Sequence, residues 1–366
     1  MTAPRAAALA VCAALTLPAA AHAGGVERST QSMNILFEEG RYIEFGGAFV
    51  SPRVSGTVGG GAIGSGSVLR NFVSPSLAIK MPLTPELDLA VILDTPIGAS
   101  TAYPLGTGYP LAGTTATLDS AALTTVLRYK FGNGFSVHGG VRLQQVQGRA
   151  NIIANPPLPA MNYTLQIDTD RRAGFLIGGA WERPELAQRV AVTYNSRITH
   201  RFDAIESFGM GDIPGSFSTT VPESLNIEFQ TGIAEGTLLF GSIRWQRWSQ
   251  FDITPPAYEA ATMGQSLVDF TRSSTALNLG VGRRVTDNLS LAASLGYERG
   301  NGLPTGNIGP VHGRRSIGLA ATWTEGPMRI TGGINYTRFG NATTTIGADF
   351  RNNSAIGAGL RVGFSF

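Results

Sequence analysis

The chain has 366 residues, 47 of them glycine, with 28 basic and 25 acidic side chains and a formal net charge of +3. Only Lys80 and Lys130 are lysine, and the arginines are scattered, which excludes a nucleic-acid surface built on a contiguous basic stripe. Near-neutral hydropathy without a long apolar run excludes a helical membrane protein, and the ordinary apolar fraction excludes a disordered chain.

The first residues read as an export signal. Arg5 gives a positive start, Ala6 to Leu17 an apolar run, and Ala21-His22-Ala23 a small-x-small cleavage site. The run is too short to span a bilayer as a helix. Cleavage is expected between Ala23 and Gly24, making residues 1–23 a signal peptide. Cys12 follows Val11, a poor lipobox residue, and reads as an ordinary signal residue. The exported chain then has no thiol or disulfide chemistry. Residues 24–40 form a short N-terminal periplasmic or lumenal segment.

From residue 41 to 366 the pattern has period two. Leu123, Thr125, Leu127 and Tyr129 alternate with Ala122, Thr124, Val126 and Arg128, and Phe135, Val137 and Val141 with Ser136, His138 and Arg142. The same alternation recurs at Val190–Asn195, Leu225–Gln230, Leu289–Glu298 and Ile330–Tyr336. One face is apolar and the other small or polar, the form of a membrane barrel strand with lipid outside and a polar lumen. A soluble barrel with a packed interior would need larger inward residues. Aromatics such as Tyr129, Phe131, Phe135, Tyr194, Trp245, Tyr297 and Tyr336 gather near strand ends, as interfacial girdles do. Trp245 and Trp248, three apart, are expected on opposite faces of one strand.

Turn chemistry sets the count. Compact turns fall at Leu83–Glu86, Gly132–Gly134, Arg183–Glu185, Ala234–Gly236, Thr286–Asn288 and Thr324–Pro327. Between them lie seven longer Gly/Pro/Ser-rich segments, at 55–68, 102–114, 153–169, 203–220, 255–266, 300–312 and 342–353. Six short turns and seven long loops join fourteen strands, which predicts an all-β, 14-stranded antiparallel transmembrane barrel with short periplasmic turns and long outer loops. The last strand, Ser354 to Phe366, carries Ile356, Ala358, Leu360, Val362, Phe364 and Phe366 on one face and closes on the first, near Arg41 to Arg53.

One strand breaks the pattern. After Leu87 to Leu93 comes Asp94-Thr95-Pro96-Ile97-Gly98. Proline donates nothing to a ladder, so a departure from the wall with unpaired backbone groups is expected, or else an early strand end at Asp94.

Chemistry-bearing clusters are few. His138, His200 and His312 lie on separate elements without metal-ligand spacing. The glycines at 61–66 lack the strand–helix context of a phosphate cradle, and no G-x-S-x-G or Ser-His-Asp arrangement occurs where a barrel enzyme would need one. No cofactor, metal or catalytic residue is assigned.

The central hairpin carries a family likeness. Val221-Pro222-Glu223-Ser224 opening a strand, then Trp248-Ser249-Gln250-Phe251, resembles the FadL (OMPP1/FadL/TodX) family of outer-membrane long-chain fatty acid and hydrophobic-compound transporters. Phe49 to Gly56 is similar to that family's first strand, Val190 to Ser196 to another strand, and the terminal Phe366 also matches. The resemblance implies fourteen strands, and an inward kink of the third strand that leaves a lateral exit, aligned here with Pro96-Ile97-Gly98. It also implies a lumenal arginine for the fatty carboxylate, falling at Arg149 within Gly148 to Ile152, and an assembly signal at Phe364 and Phe366 read by the barrel assembly machinery. The family's longer N-terminal hatch and its Asn-Pro-Ala motif are missing, so residues 24–40 amount to a short plug at most.

Together these imply a monomeric transporter in the outer membrane of a Gram-negative bacterium, surrounded by outer-membrane lipids, without enzymatic activity or nucleic-acid partner. A long-chain fatty acid or other hydrophobic ligand would adsorb on apolar outer loops (Ile153 to Met161; Phe202, Phe208, Met210 and Phe217) and leave by the gap at Thr95, Pro96, Ile97 and Gly98. A porin for polar solutes and a lipid-modifying barrel enzyme are the alternatives.

Overall fold

The computed structural model describes residues 26–300 and 304–366; the expected signal peptide and its cleavage site, Ala23 and Gly24, lie outside them. The described residues form a closed antiparallel barrel of fourteen strands, three of them interrupted once. These are β1 (Tyr42–Arg53), β2 (Phe72–Pro82), β3 (Leu87–Asp94 and Gly98–Ala102), β4 (Thr115–Lys130) and β5 (Phe135–Ala154). Next come β6 (Met161–Arg183), β7 (Gln188–Asn195 and Ile198–Ser207), β8 (Asp212–Val221 and Ser224–Ala234) and β9 (Thr237–Gln246). The wall ends with β10 (Ser274–Arg284), β11 (Leu289–Glu298), β12 (His312–Glu325), β13 (Met328–Gly340) and β14 (Ser354–Ser365). Closure runs from Tyr42 opposite Ser365 to Arg53 opposite Ser354, the expected pairing of first and last strands. Closure leaves no sheet edge, which a sheet in hydrocarbon requires because no water is present to pair its backbone.

The alternation places Phe45, Leu127, Val141, Ile177, Leu295 and Leu360 outward and exposed. Exposed Tyr129, Phe131, Phe135 and Trp323 lie at the short-turn end, and Phe49, Phe175, Tyr297 and Tyr336 toward the other. These are two aromatic belts around an apolar band.

Three expectations are corrected. Segments 153–169 and 203–220 are mostly strand: β5 and β6 run 20 and 23 residues. At about 3.3 Å per residue those strands are roughly twice as long as the ~30 Å hydrocarbon layer is thick, so the β5–β8 wall stands above the membrane. The strand holding Trp245 ends at Gln246, and Trp248 sits in a 3₁₀ turn, fully buried. The lumen is not polar throughout. Down β5 the buried inward positions read Ser136, His138, Arg142 and Gln144, then switch to Val146, Ala150, Ile152 and Ala154.

Glycine matters where strands crowd inside. A Cβ on Gly140 would run into the Thr125 carbonyl oxygen and lie 2.9 Å from the Val126 Cα, whereas one on Gly332 meets nothing. Gly140→Ala is therefore expected to cost on the order of 1–3 kcal/mol and to lower the thermal transition read by heat-modifiable electrophoretic mobility. Gly332→Ala should leave it unchanged.

Candidate site: a plugged lumen, an apolar chamber and a gap in β3

The short N-terminal segment does plug the lumen. Residues 26–40 thread inside the barrel with Met33, Ile35 and Leu36 packed against Ala78, Ala90, Val126 and Leu176. Polar side chains on several strands hold it. Arg244 donates from Nε to Glu27 (2.6 Å), Arg142 to Gln31 (2.7 Å), Arg189 to Asn34 (2.7 Å) and Arg128 to the Leu36 carbonyl (2.9 Å). Arg329 forks onto Glu38 at 2.9 Å, and Lys80 reaches the Glu38 and Gly40 carbonyls at 3.0 and 3.1 Å. On β8, Asn226 donates to the Thr30 carbonyl and Glu228 accepts from Ser32 and the Met33 N–H. The Phe37 ring lies between the Arg128 and Arg189 guanidiniums at 4.4 and 4.3 Å. Buried cations keep their charge only when paired: plug carboxylates pair Arg244 and Arg329, while Glu182 and Asp88 of the wall pair Arg128 and Lys80.

Above the plug lies a mainly apolar chamber bordered by β1–β6, β13, β14 and the segments after β9 and β11, with Leu118, Ala150, Leu165, Ile167, Phe251 and Phe270 on its walls. Residues following β9 roof it. The Trp248–Gln250 turn inserts two rings, Trp248 and Phe251, that pack with Phe270 at 5.3 to 5.7 Å between centroids. A short helix, α1 (Pro256–Ala261), is held to the wall by Glu206, which accepts from the Ala257 and Tyr258 N–H groups and the Tyr163 hydroxyl. Val26 and Arg28 form the chamber floor. Burial pushes Arg28 down to about 10, against the opposing pull of Asp119, so it stays charged at neutral pH.

The break in β3 lies beside that floor. The β2–β3 ladder ends at Leu77 opposite Leu93, while Phe72 to Ser76 of β2 pair only with β1. Contact resumes at Leu69 opposite Thr101. Between these points the wall has a gap, with Pro75 on one side and Pro96 on the other, neither able to donate. The expected unpaired backbone groups are corrected: the plug pairs with them. Arg28 N–H donates to the Pro96 carbonyl (2.9 Å), Gly98 N–H to the Val26 carbonyl (2.7 Å), and Ser29 to Asp94 (2.5 Å). Ser120 receives the Ile97 N–H and donates to its carbonyl. Gly98 is required by close approach, since a Cβ there would lie 3.1 Å from Arg28 Nε and 3.2 Å from the Leu118 oxygen. The Arg28 guanidinium covers the Phe72 ring at 3.3 Å, closing the gap from within.

The residues expected to act separate into groups. Thr95, Pro96, Ile97 and Gly98 form the break, and Ile97 and Phe202 line a common side pocket of the chamber. Phe208 packs 5.1 Å from Tyr163 at the chamber's upper rim. Met210 is 97% exposed at the β7–β8 tip and touches none of this. Arg149 is exposed on β5 and borders the chamber together with Gly148 and Ala150, while Arg128, Arg142, Arg189, Arg244 and Arg329 bind residues 26–40. Phe364 and Phe366 lie on the outward face of β14, with the Phe366 N–H on the Arg41 carbonyl (3.0 Å). His200, Thr219 and Phe251 were not anticipated as a group. The polarity switch along the inward parity of β5 would have marked the chamber.

A family profile described as outer membrane protein transport protein (OMPP1/FadL/TodX) matches residues 37–352. Among solved structures, a Pseudomonas aeruginosa FadL homologue superposes with a TM-score of 0.72 at 14% identity, covering 91% of this chain and 92% of that one. The P. putida toluene transporter TodX gives 0.66 at 13% identity over 91% and 92%. The Ralstonia pickettii toluene transporter TbuX gives 0.65 at 12% over 91% of each. At such identities these likenesses show the fold alone. No curated protein sequence matches significantly.

Arg244→Ala removes the bonds to Glu27, Ser224 and Asn226 together, a loss on the order of 3–5 kcal/mol for a buried ion pair. Ion conductance in planar bilayers is expected to rise while the barrel stays heat-modifiable. Conductance equal to the parent's would show that the plug does not depend on this anchor.

Proposed function

The chain belongs to the OMPP1/FadL/TodX family of outer-membrane transport proteins for hydrophobic compounds, and from that premise we propose that its own cargo is a long-chain fatty acid, leaving sideways at the β3 break. One observation carries the reading: a mainly apolar chamber stands on a charged floor, Arg28, that also closes the gap in the wall. The alkyl chain partitions into the chamber at about 0.8 kcal/mol per methylene, so a dozen methylenes contribute roughly 10 kcal/mol before losses of motion. The carboxylate meets Arg28, a charge-assisted contact that a pure hydrocarbon lacks. Passage follows the concentration gradient and uses no nucleotide or cofactor.

A porin for polar solutes is disfavoured by the same features. Water-filled conduction requires a polar path, and here a plug tied to eight strands lies beneath an apolar chamber. An aromatic cargo remains the second reading, since two of the superposing proteins are named toluene transporters. Phe202, Phe251 and Phe270 offer ring faces.

Replacing Pro96-Ile97-Gly98 by Val-Thr-Val restores ladder donors and adds a Cβ against Arg28. Uptake of labelled oleate into cells is expected to fall at least about tenfold, a barrier increase of ~1.4 kcal/mol, with folded barrel at parental levels. Unchanged uptake would sink the lateral route. We further propose that Phe366 serves assembly: its deletion should lower the yield of folded barrel severalfold while leaving uptake per folded molecule unaltered.

A further inference from the structure

The chamber's side pocket holds two polar atoms that the plug and the break do not use. Ile97, Leu118, Ile167, Phe202, Phe217 and Phe251 are among its walls, and all but two of its lining residues are apolar. The two are His200 and Thr219. They are 1% and 5% exposed, stand directly opposite each other on β7 and β8, and so share the inward face of that hairpin. Opposed positions place side chains about 5 Å apart at Cβ. Neither His200 Nε2 nor Thr219 Oγ1 has a hydrogen-bond partner. Such atoms in an apolar wall cost free energy unless something pairs with them.

The other ring nitrogen is committed. His200 Nδ1 lies 2.9 Å from Asp170 Oδ2, and the same oxygen accepts from Arg172 Nε at 3.0 Å. The carboxylate accepts from Nδ1–H, so in the neutral imidazole Nε2 presents a lone pair toward the pocket. Phe202 stacks on the ring at 5.8 Å and 8°, fixing its plane. Facing that acceptor, the Thr219 hydroxyl can donate or accept. The partner that satisfies both is a neutral hydroxyl, donating to Nε2 and accepting from Thr219. The apolar surroundings accept the hydrocarbon around it. The side pocket and the main chamber share Leu118, Ile167, Phe251 and Ile253, so the side pocket lies directly against the chamber and is sized for a small polar group.

We propose that His200 and Thr219 form a hydroxyl-recognition subsite, selecting hydrophobic ligands that carry a neutral hydroxyl group part-way along the molecule. The subsite rests on the chamber reading above, since it addresses the same cargo at a second point. Asp170 is its positioning residue, holding the imidazole tautomer without touching ligand.

The test uses full-length protein in detergent, titrated with octadecanoic acid and with hydroxyoctadecanoic acids hydroxylated at successive carbons, by calorimetry. One or two adjacent hydroxyl positions are expected to bind about tenfold tighter than the parent acid. His200→Phe and Thr219→Val should each abolish that gain while octadecanoic acid binds as before. Asp170→Asn should reduce the gain, and the conservative His200→Gln should retain part of it. Equal binding of all the acids, or a gain that survives both His200→Phe and Thr219→Val, would overturn the subsite and show that the pocket holds a bound water only. Failure of every acid to bind would instead sink the fatty-acid reading. Binding of octadecanoic acid alone leaves that reading standing while refuting the subsite, so the two fail separately.

Discussion

The constraint on which this structure depends is that hydrocarbon offers no partner to a backbone N–H or C=O. It imposes closure of β1 on β14 and explains why alternation persists around the wall. It makes any lapse in the ladder a place that other atoms must satisfy. At Thr95 to Ile97 the satisfying atoms come from the far N-terminus and from Ser120, not from β2. The wall is thus completed by a segment that does not belong to it. A second lapse shows the same rule. Between the pairs Asn195–Leu176 and Ala204–Ile167 the β6–β7 ladder is interrupted, and there the Asp170–His200 contact joins the strands through side chains.

Charge inside the barrel is shared between wall and plug. Guanidiniums from β4, β5, β7, β9 and β13 point inward at a depth where an unpaired charge would be expensive. Each reaches the short segment of residues 26–40, much of it through backbone carbonyls and amide or carboxylate oxygens. A compact hatch suffices because the wall's side chains extend to meet it. Higher on the wall the inward face changes character, and on β5 the buried positions turn from polar to apolar between Gln144 and Val146.

Much of the fold was legible because it rests on local rules. Turn residues at Gly132–Gly134 or Thr324–Pro327 and period-two alternation act over a few residues, and the six short turns lie where their chemistry placed them. Strand length was less legible. Segments 153–169 and 203–220 read as long loops for their Gly, Pro and Asn, yet only 155–160 and 208–211 lie outside strands, because pairing across each hairpin overrides local propensity. The chamber was hidden for a different reason. Parity assigns a side but not a depth, so the switch from polar to apolar inward residues on β5 has meaning only once strands are aligned against each other.

Sharing atoms between plug and wall has a mechanical consequence. The Val26 carbonyl and the Arg28 N–H bond to Gly98 and Pro96, while Glu27 between them is tied to Arg244 across the lumen. Arg28 also stacks on Phe72, which borders the gap. A displacement that clears the gap must therefore break bonds of the plug, and a loosened plug leaves Pro96 and Gly98 without their partners. Closure of the gap and the hold of the plug on the wall thus meet in three consecutive residues, Val26 to Arg28.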